Sequence, residues 1–450
     1  MKLIVRDRSF YKTYLSLTAA ISLQLILSYA VNLADNVILG KYSEVALSGA
    51  SIVNQLQFLL QMLVAGVSSG AVILGAQYWG KKDVDSIRSV ITLGTKLAAL
   101  LGVIFTLLTA LFPYEVLSLL TDEEAVLAEG IKYLRIMCWT YLVYSISNSL
   151  VMSLRSAEIT VIGPIISLST LCINVCLDLI LIFGKFGAPQ MGIAGAAIAT
   201  LASRIVELLI VSVFVFCVDK RLKLRPKAFL RFKTGLFSRY IRVSLPVTGG
   251  SGMWGVAQAV QTSILGHISA TAIAANSIAV IVFQIISVFA MSSASSSSVM
   301  TGMIIGEKKF DLIRPYARTF QLIFLINGLI SCALMLLLKK LIVNFYSITP
   351  EAKELALKYI TILAFTGIGS AYEFPIEGGI IQGGGNTRYA LIVDNLFMWL
   401  FTIPFAAMSA FWWKLSPVAT FVFLKLDQIL KCLPNTIKLN RFNWIKVLTE

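Results

Sequence analysis

Twelve long apolar runs constrain this chain more than any other feature. They fall at about 14–39, 46–76, 90–112, 127–153, 160–183, 192–218, 242–266, 271–303, 316–338, 354–382, 388–409 and 411–433. A bilayer span needs about 20 consecutive apolar residues. Backbone inside hydrocarbon must satisfy its own hydrogen bonds, so each such run is read as a helix. Over the 450 residues, 57% are hydrophobic and 14% charged. A soluble chain carries about 25% charged residues. The fold class is therefore an all-α polytopic membrane protein.

The net charge of +15 would suit nucleic acid, but its placement argues against that partner. With the N-terminus inside, the inner segments hold about 26 of the 38 Lys and Arg, and the outer loops about 6. That bias orients the chain with both termini in the cytoplasm and points to the plasma membrane. The opening "MKLIVRDRSFYK" lacks a small-residue cleavage site and reads as a cytoplasmic tail. The basic stretch 219–241 reads as an inner linker lying on anionic membrane lipids. Six cysteines lie in apolar runs without metal-like or disulfide-like spacing. Cys172 and Cys176 are expected on a packed helix face. His267 is expected at the surface.

Sliding the sequence by 226 residues exposes an internal repeat. "DNVILGKYSEVALSGASI" (35–52) then lies over "QTSILGHISATAIAANSI" (261–278), and "GKKDVDSIR" (80–88) over "GEKKFDLIR" (306–314). Over 35–88, 13 of 54 positions are identical without a gap. Gly40 matches Gly266, and Gly80 matches Gly306. Each repeat holds six spans, so both have the same topology. We expect twelve transmembrane helices in two pseudo-symmetric six-helix bundles: residues 1–218, the linker 219–241, and residues 242–450 with a cytoplasmic tail.

Asp35 interrupts the first span, and an ionised acid there costs about 3 kcal/mol or more. Asp178 sits in the fifth span, one turn beyond Asn174 on the same face. Asp35 lies five residues before Gly40 and Asp178 six before Gly184, so both fall at similar depth. Two acids close together in a low dielectric do not both ionise readily. A shared proton or a bound Na⁺ would relieve their repulsion. Asn54, Gln57 and Gln61 form a polar stripe on the second span. Their repeat partners Val280, Phe283 and Ser287 are mostly apolar, which suits a cavity for amphiphilic cations. Gln261 stands where the second repeat would place Asp35, and the seventh span has no acid. The cation site is therefore expected in the first half. Glu373 and Glu377 share a face of span ten as candidates for an inner gate or a second proton site. Arg204 and Glu207 are expected to pair. Asp394 is left between pairing with Arg388 and a role in transport. The serine-rich run 291–300 has no accompanying base and reads as close helix packing.

The stretches "NLADNVILGKYSEVALSGAS", "GVSSGAVILGAQYWGKKD", "GAPQMGIAGAAIATLASR" and "IQGGGNTRYALIVDNLFMWLFTIPFA" together resemble the multidrug and toxic compound extrusion transporters. The resemblance runs from about residue 10 to residue 440. It implies two six-helix lobes and export of organic compounds in exchange for Na⁺ or H⁺. It also implies a first-lobe cation site at Asp35, Asn174 and Asp178. Two departures stand out. The family's span-one proline is absent, since the repeat partner of Pro246 is Ala20. The span-seven glutamate of one branch is absent too. A lipid-linked sugar flippase is the alternative, but the spans show few basic residues, mainly Lys96 and Arg204. A membrane-embedded transferase would need an Asp-rich or phosphate-binding motif, and none is present. No enzyme activity and no cofactor beyond the coupling ion are expected. A small-molecule substrate and a monomer are expected.

Overall fold

A computed structural model describes residues 4–230, 234–344, 346 and 349–450; positions 231–233 of the basic linker lie outside the described residues. The chain is helical throughout, with no strand among the described residues. The first repeat gives helices Arg8–Tyr42, Glu44–Gly80, Val84–Leu111, Glu124–Leu154, Ile162–Leu181 and Ile193–Val213. The second gives Thr234–Ile268, Ala270–Gly306, Phe310–Asn344, Pro350–Phe374 and Thr387–Phe397, then a broken twelfth span. That last span consists of Pro417–Leu424, Asp427–Leu430 and Cys432–Arg441.

Nine of the described helices are long and apolar enough to cross a membrane by length and composition. Spans four, seven and twelve complete the twelve. Each is diluted by charged or small residues, namely Lys132 and Arg135 in span four, glycines in span seven, and Lys425, Asp427 and Lys431 in span twelve. Large apolar side chains such as Leu111 and Leu337 are 66% and 76% exposed, while many Ser and Thr side chains are buried among the apolar core. This distribution suits a chain whose outer solvent is lipid.

The repeat is visible in the backbone. Spans one and two begin and end 226 positions before spans seven and eight. Ser43 and Ser269 are equivalent N-caps, each accepting a bond from the backbone N–H three residues on, which satisfies an otherwise orphaned donor. Lys82 and Lys308 both take the left-handed conformation, at φ 61° and 59°. A Cβ on Gly40 would lie 3.3 Å from Leu47, and one on Gly266 would lie 3.2 Å from Ile273, the repeat equivalent of Leu47. These glycines let the next helix fold back tightly.

The residues pack into two units, one of 1–22 with 249–450 and the other of 23–248. The chain thus changes unit inside spans one and seven. In the first unit, Tyr14 donates to Ser293 Oγ at 2.7 Å and Thr18 to Ser296 Oγ at 3.0 Å. In the second, Tyr240 donates to the carbonyl of Val67, and Ser244 sits against Gly70. Shifted by 226, Tyr14 becomes Tyr240, Ser293 becomes Val67, Thr18 becomes Ser244 and Ser296 becomes Gly70. One contact has thus been built twice. The neighbours differ: Phe320 packs at a tilt beside Tyr14, with ring centroids 5.6 Å apart, whereas its repeat partner Gly94 leaves the room that Tyr240 fills.

Small residues set the remaining close contacts. Methyl groups on Gly379 and Gly383 would collide with Ser297 and Ser298. The serine run therefore packs span eight against span ten, as expected. Cys172 and Cys176 are exposed, contrary to the packed face expected of them, because Asn174 and Asp178 take the buried side of span five. His267 is exposed, as expected, and pairs edge-on with Phe411.

The repeated tyrosine contact gives a stability test. A Cβ at Gly94 would stand 2.6 Å from the Tyr240 hydroxyl, so Gly94→Leu should overpack the site at a cost of about 1–3 kcal/mol. Tyr240→Phe loses one buried hydrogen bond, about 1 kcal/mol. Thermal unfolding in detergent should rank Gly94→Leu below Tyr240→Phe and both below the native protein. A Gly94→Leu variant as stable as the native protein would contradict this packing.

Candidate functional site

The site lies within the unit formed by residues 23–248. Span one delivers Asp35 and span five delivers Asn174 and Asp178, which are spaced one turn apart and 0% exposed. Asp35 stands against Asp178, close enough for one carboxyl to bond the other once either carries a proton, and beside Asn174. Among the described residues no donor reaches either oxygen of Asp178, Oδ1 of Asp35 or Oδ1 of Asn174. The Asn174 amide nitrogen has no acceptor either. Buried polar groups are ordinarily satisfied, so this many orphaned oxygens in one place call for a proton or a hard cation.

Next to the pair is a polar cavity of about 30 Å³, lined by Asp35, Asn54, Gln57, Gln61, Tyr133, Thr170 and Arg204, among others. That is roughly the volume of one water molecule, and a single small cation has the same scale. The polar stripe of span two faces it, as its i, i+3, i+7 spacing allows. Gln57 is buried and its Oε1 has no donor. Arg204 donates to Glu207 Oε2 at 2.7 Å, forming the expected pair, and Glu207 also accepts from Ser147 at 3.0 Å. Arg204 faces Asp35 as well, so a fixed positive charge borders the acids.

Sequence reasoning missed Tyr133, which is buried, lines the cavity and lies near Asp35 and Asp178, with its hydroxyl bonded to Thr200. It lies in an apolar run of span four, and only the packing of that span against spans two and six reveals the direction of its hydroxyl.

The other expected residues lie elsewhere. Gln261 belongs to the other unit, where its Oε1 accepts from Lys425 at 3.1 Å and its Nε2 donates to Met398 Sδ at 3.1 Å. The second repeat is therefore not a purely oily wall: it buries Lys425 of span twelve. Glu373 and Glu377 are both buried and share Asn435, whose Nδ2 donates to them at 3.2 and 2.6 Å. Asp394 accepts from Lys431 at 2.8 Å, not from the Arg388 weighed for it. Lys425, Lys431 and Asn435 escape sequence reasoning because they sit near the end of the chain, where the span is broken and its register unreadable.

A neutral variant shows whether the acids serve structure. Removing an unpaired buried charge is neutral or stabilising, and an amide at 178 could donate to Asp35. We expect Asp178→Asn to unfold no earlier than the native protein in a detergent melt. A drop of several degrees would mark the pair as a structural element instead.

The chain is similar to known proteins over most of its length. A family model described as MatE matches residues 20–180 and 253–408, one segment in each repeat. The chain is 24% identical over 414 residues to a probable multidrug resistance protein NorM of Thermotoga maritima, covering 92% of this chain and 88% of that protein. It is 23% identical over 385 residues to a probable multidrug resistance protein YoeA of Bacillus subtilis, covering 84% and 82%. Its fold is similar to that of a solved MOP superfamily transporter from Pyrococcus furiosus, with a TM-score of 0.88 at 16% identity over 96% and 95% of the two chains. It is equally similar to a solved Vibrio cholerae MATE transporter, with a TM-score of 0.88 at 16% identity over 98% and 99%.

Proposed function

This chain belongs to the MatE family of multi-pass multidrug transporters, which are not enzymes, and from that premise we propose that it exports organic, often cationic and amphiphilic compounds in exchange for Na⁺ or H⁺ by alternating access. The observation that carries the reading is the Asp35–Asp178 contact, in which Asp178 is fully buried and, among the described residues, no donor reaches either of its oxygens.

Asp35 and Asp178 supply negative charge at a depth where charge is costly. A proton between them, or Na⁺ held by their oxygens with Asn174 Oδ1, neutralises that charge. A cationic substrate drawn to the same charge competes with the ion. Occupancy by one excludes the other, and that exclusion couples their movements. Tyr133 lines the cavity beside the acids, and Arg204 limits how much negative charge the cavity holds. Gln57 and Gln61 offer amide groups along the wall of span two. Each charge moved across the membrane is worth about 2.3 kcal/mol per 100 mV, so a pair that cycles one proton draws on the potential directly. We place the protein in the plasma membrane with both termini cytoplasmic, from the distribution of Lys and Arg. We take it as a monomer whose basic linker contacts anionic lipid, with no nucleic-acid partner.

The test is export of a fluorescent cationic dye from proteoliposomes under Na⁺ and pH gradients imposed separately. The native protein should respond to one of them. Asp35→Asn and Asp178→Asn should each lower gradient-driven exchange by about 10-fold or more, the scale of a typical coupling free energy. Undiminished gradient-driven efflux in both purified variants would remove the site from the mechanism.

A further inference from the structure

The second repeat lacks the aspartate pair yet buries a different set of charges. Span ten contributes Glu373 and Glu377, span eleven Asp394, and span twelve Asp427, Lys431 and Asn435. Lys431 Nζ lies 2.8 Å from Asp394, 3.4 Å from Glu373 and 3.5 Å from Asp427. Glu373, Glu377, Asp427 and Lys431 are each under a tenth exposed, and Asn435 is 0% exposed. The Asp394 side chain is 40% exposed. Three carboxylates thus share one buried lysine. Glu377 forms no close ion pair with that lysine, whose charge reaches it only at longer range. Its Oε2 accepts from Asn435, while its Oε1 and the Asn435 Oδ1 have no partner among the described residues. Asn435 cannot repair this, since the amide protons it turns toward the acids go to Glu373 and Glu377.

We propose that Glu377 and Glu373, bridged by Asn435 and set beside Lys431, form a second exchangeable proton site in the half of the chain that lacks the aspartate pair. A proton on Glu377 Oε1 removes one buried charge and gives that oxygen a hydrogen to donate, which the orphaned acceptors can receive. A metal ion suits the place less well, because Lys431 already holds the cationic position between three carboxylates. The other titratable groups facing the site are Tyr389 of span eleven, near Glu377, and Cys432 of span twelve, near Glu373. Span eight, packed on the same stretch, brings Ala294, Ser297 and Ser298 against Gly379 and Gly383. The backbone here is a π-helix over Pro375–Ile381, a widened turn of the kind that often accompanies functional sites.

The inference rests on the transport reading only for its use in ion exchange. The proton site itself is read in the resting protein, so its failure and that of ion-driven export are separate results. Infrared spectra of the purified full chain in lipid, titrated between about pH 5 and pH 10 in H₂O and D₂O, report the C=O stretch of protonated carboxyls. The native protein should show a deuterium-sensitive band that fades as pH rises. Glu377→Gln should remove a component of this band that Asp178→Asn keeps. Lys431→Gln should move its loss to higher pH, because removing a neighbouring positive charge makes the proton bind more tightly, and Lys431→Arg should move it much less. If Glu377→Gln does not fold, Glu377→Asp takes its place and must shift the band. The proposal is overturned by a band that is constant over the range, by one lost only with Asp35 or Asp178, or by one that ignores both Glu377 and Lys431.

Discussion

Hydrocarbon gives a backbone no partner outside itself, so every segment that crosses it must close its hydrogen bonds along its own helix. The architecture follows from this constraint. With the backbone satisfied locally and apolar side chains gaining little by leaving lipid, what remains to specify packing is side-chain size and the few polar groups. Hence the glycine and serine contacts of spans two, eight and ten, and hence the concentration of chemistry in a handful of buried carboxylates, amides and lysines. Asp35, Asp178, Glu373 and Glu377 are costly residues in such a solvent, and each lies where another polar group meets it.

The same constraint explains what can be read from the sequence. Apolar runs mark helices because nothing else survives in the bilayer, so the spans are legible to within a few residues. The 226-residue shift is legible because glycine and serine positions at helix ends are dictated by backbone geometry, as at Ser43 with Ser269 and Gly40 with Gly266. The pairing of Asn174 with Asp178 follows from helical spacing, and the facing of Asp35 from depth. Directions across helices are not legible. Nothing in a one-dimensional pattern tells that Tyr133 lines the cavity beside two aspartates, or that Lys431 rather than Arg388 meets Asp394. Span twelve is the least readable stretch, because its helix breaks around Lys425 and Lys431, where a hydropathy pattern assumes continuity.

The two repeats share a backbone template and have parted in chemistry. Asp35 corresponds to Gln261, Gln57 to Phe283 and Gly94 to Phe320. The first half concentrates orphaned oxygens around a small cavity bordered by one arginine. The second half wraps its carboxylates around a lysine and an asparagine. A duplicated scaffold could diverge this far because the contacts that hold its helix corners involve backbone, serine and glycine, which leaves the interior positions free to change.

The paired contacts of Tyr14 and Tyr240 have a bearing on how such a chain could arise. Each packing unit is completed by roughly the first fifteen residues of a span that otherwise belongs to the other unit. A half-length protein carrying a single repeat would leave the groove for that segment empty, unless two identical molecules traded their leading helices. Exchange of an identical element is a low-cost route to a symmetric dimer. Joining the two genes end to end would then make the trade permanent and free each copy to specialise. It also means that severing the chain in the basic linker would not separate the halves cleanly, since each fragment would keep a piece of its partner's interior.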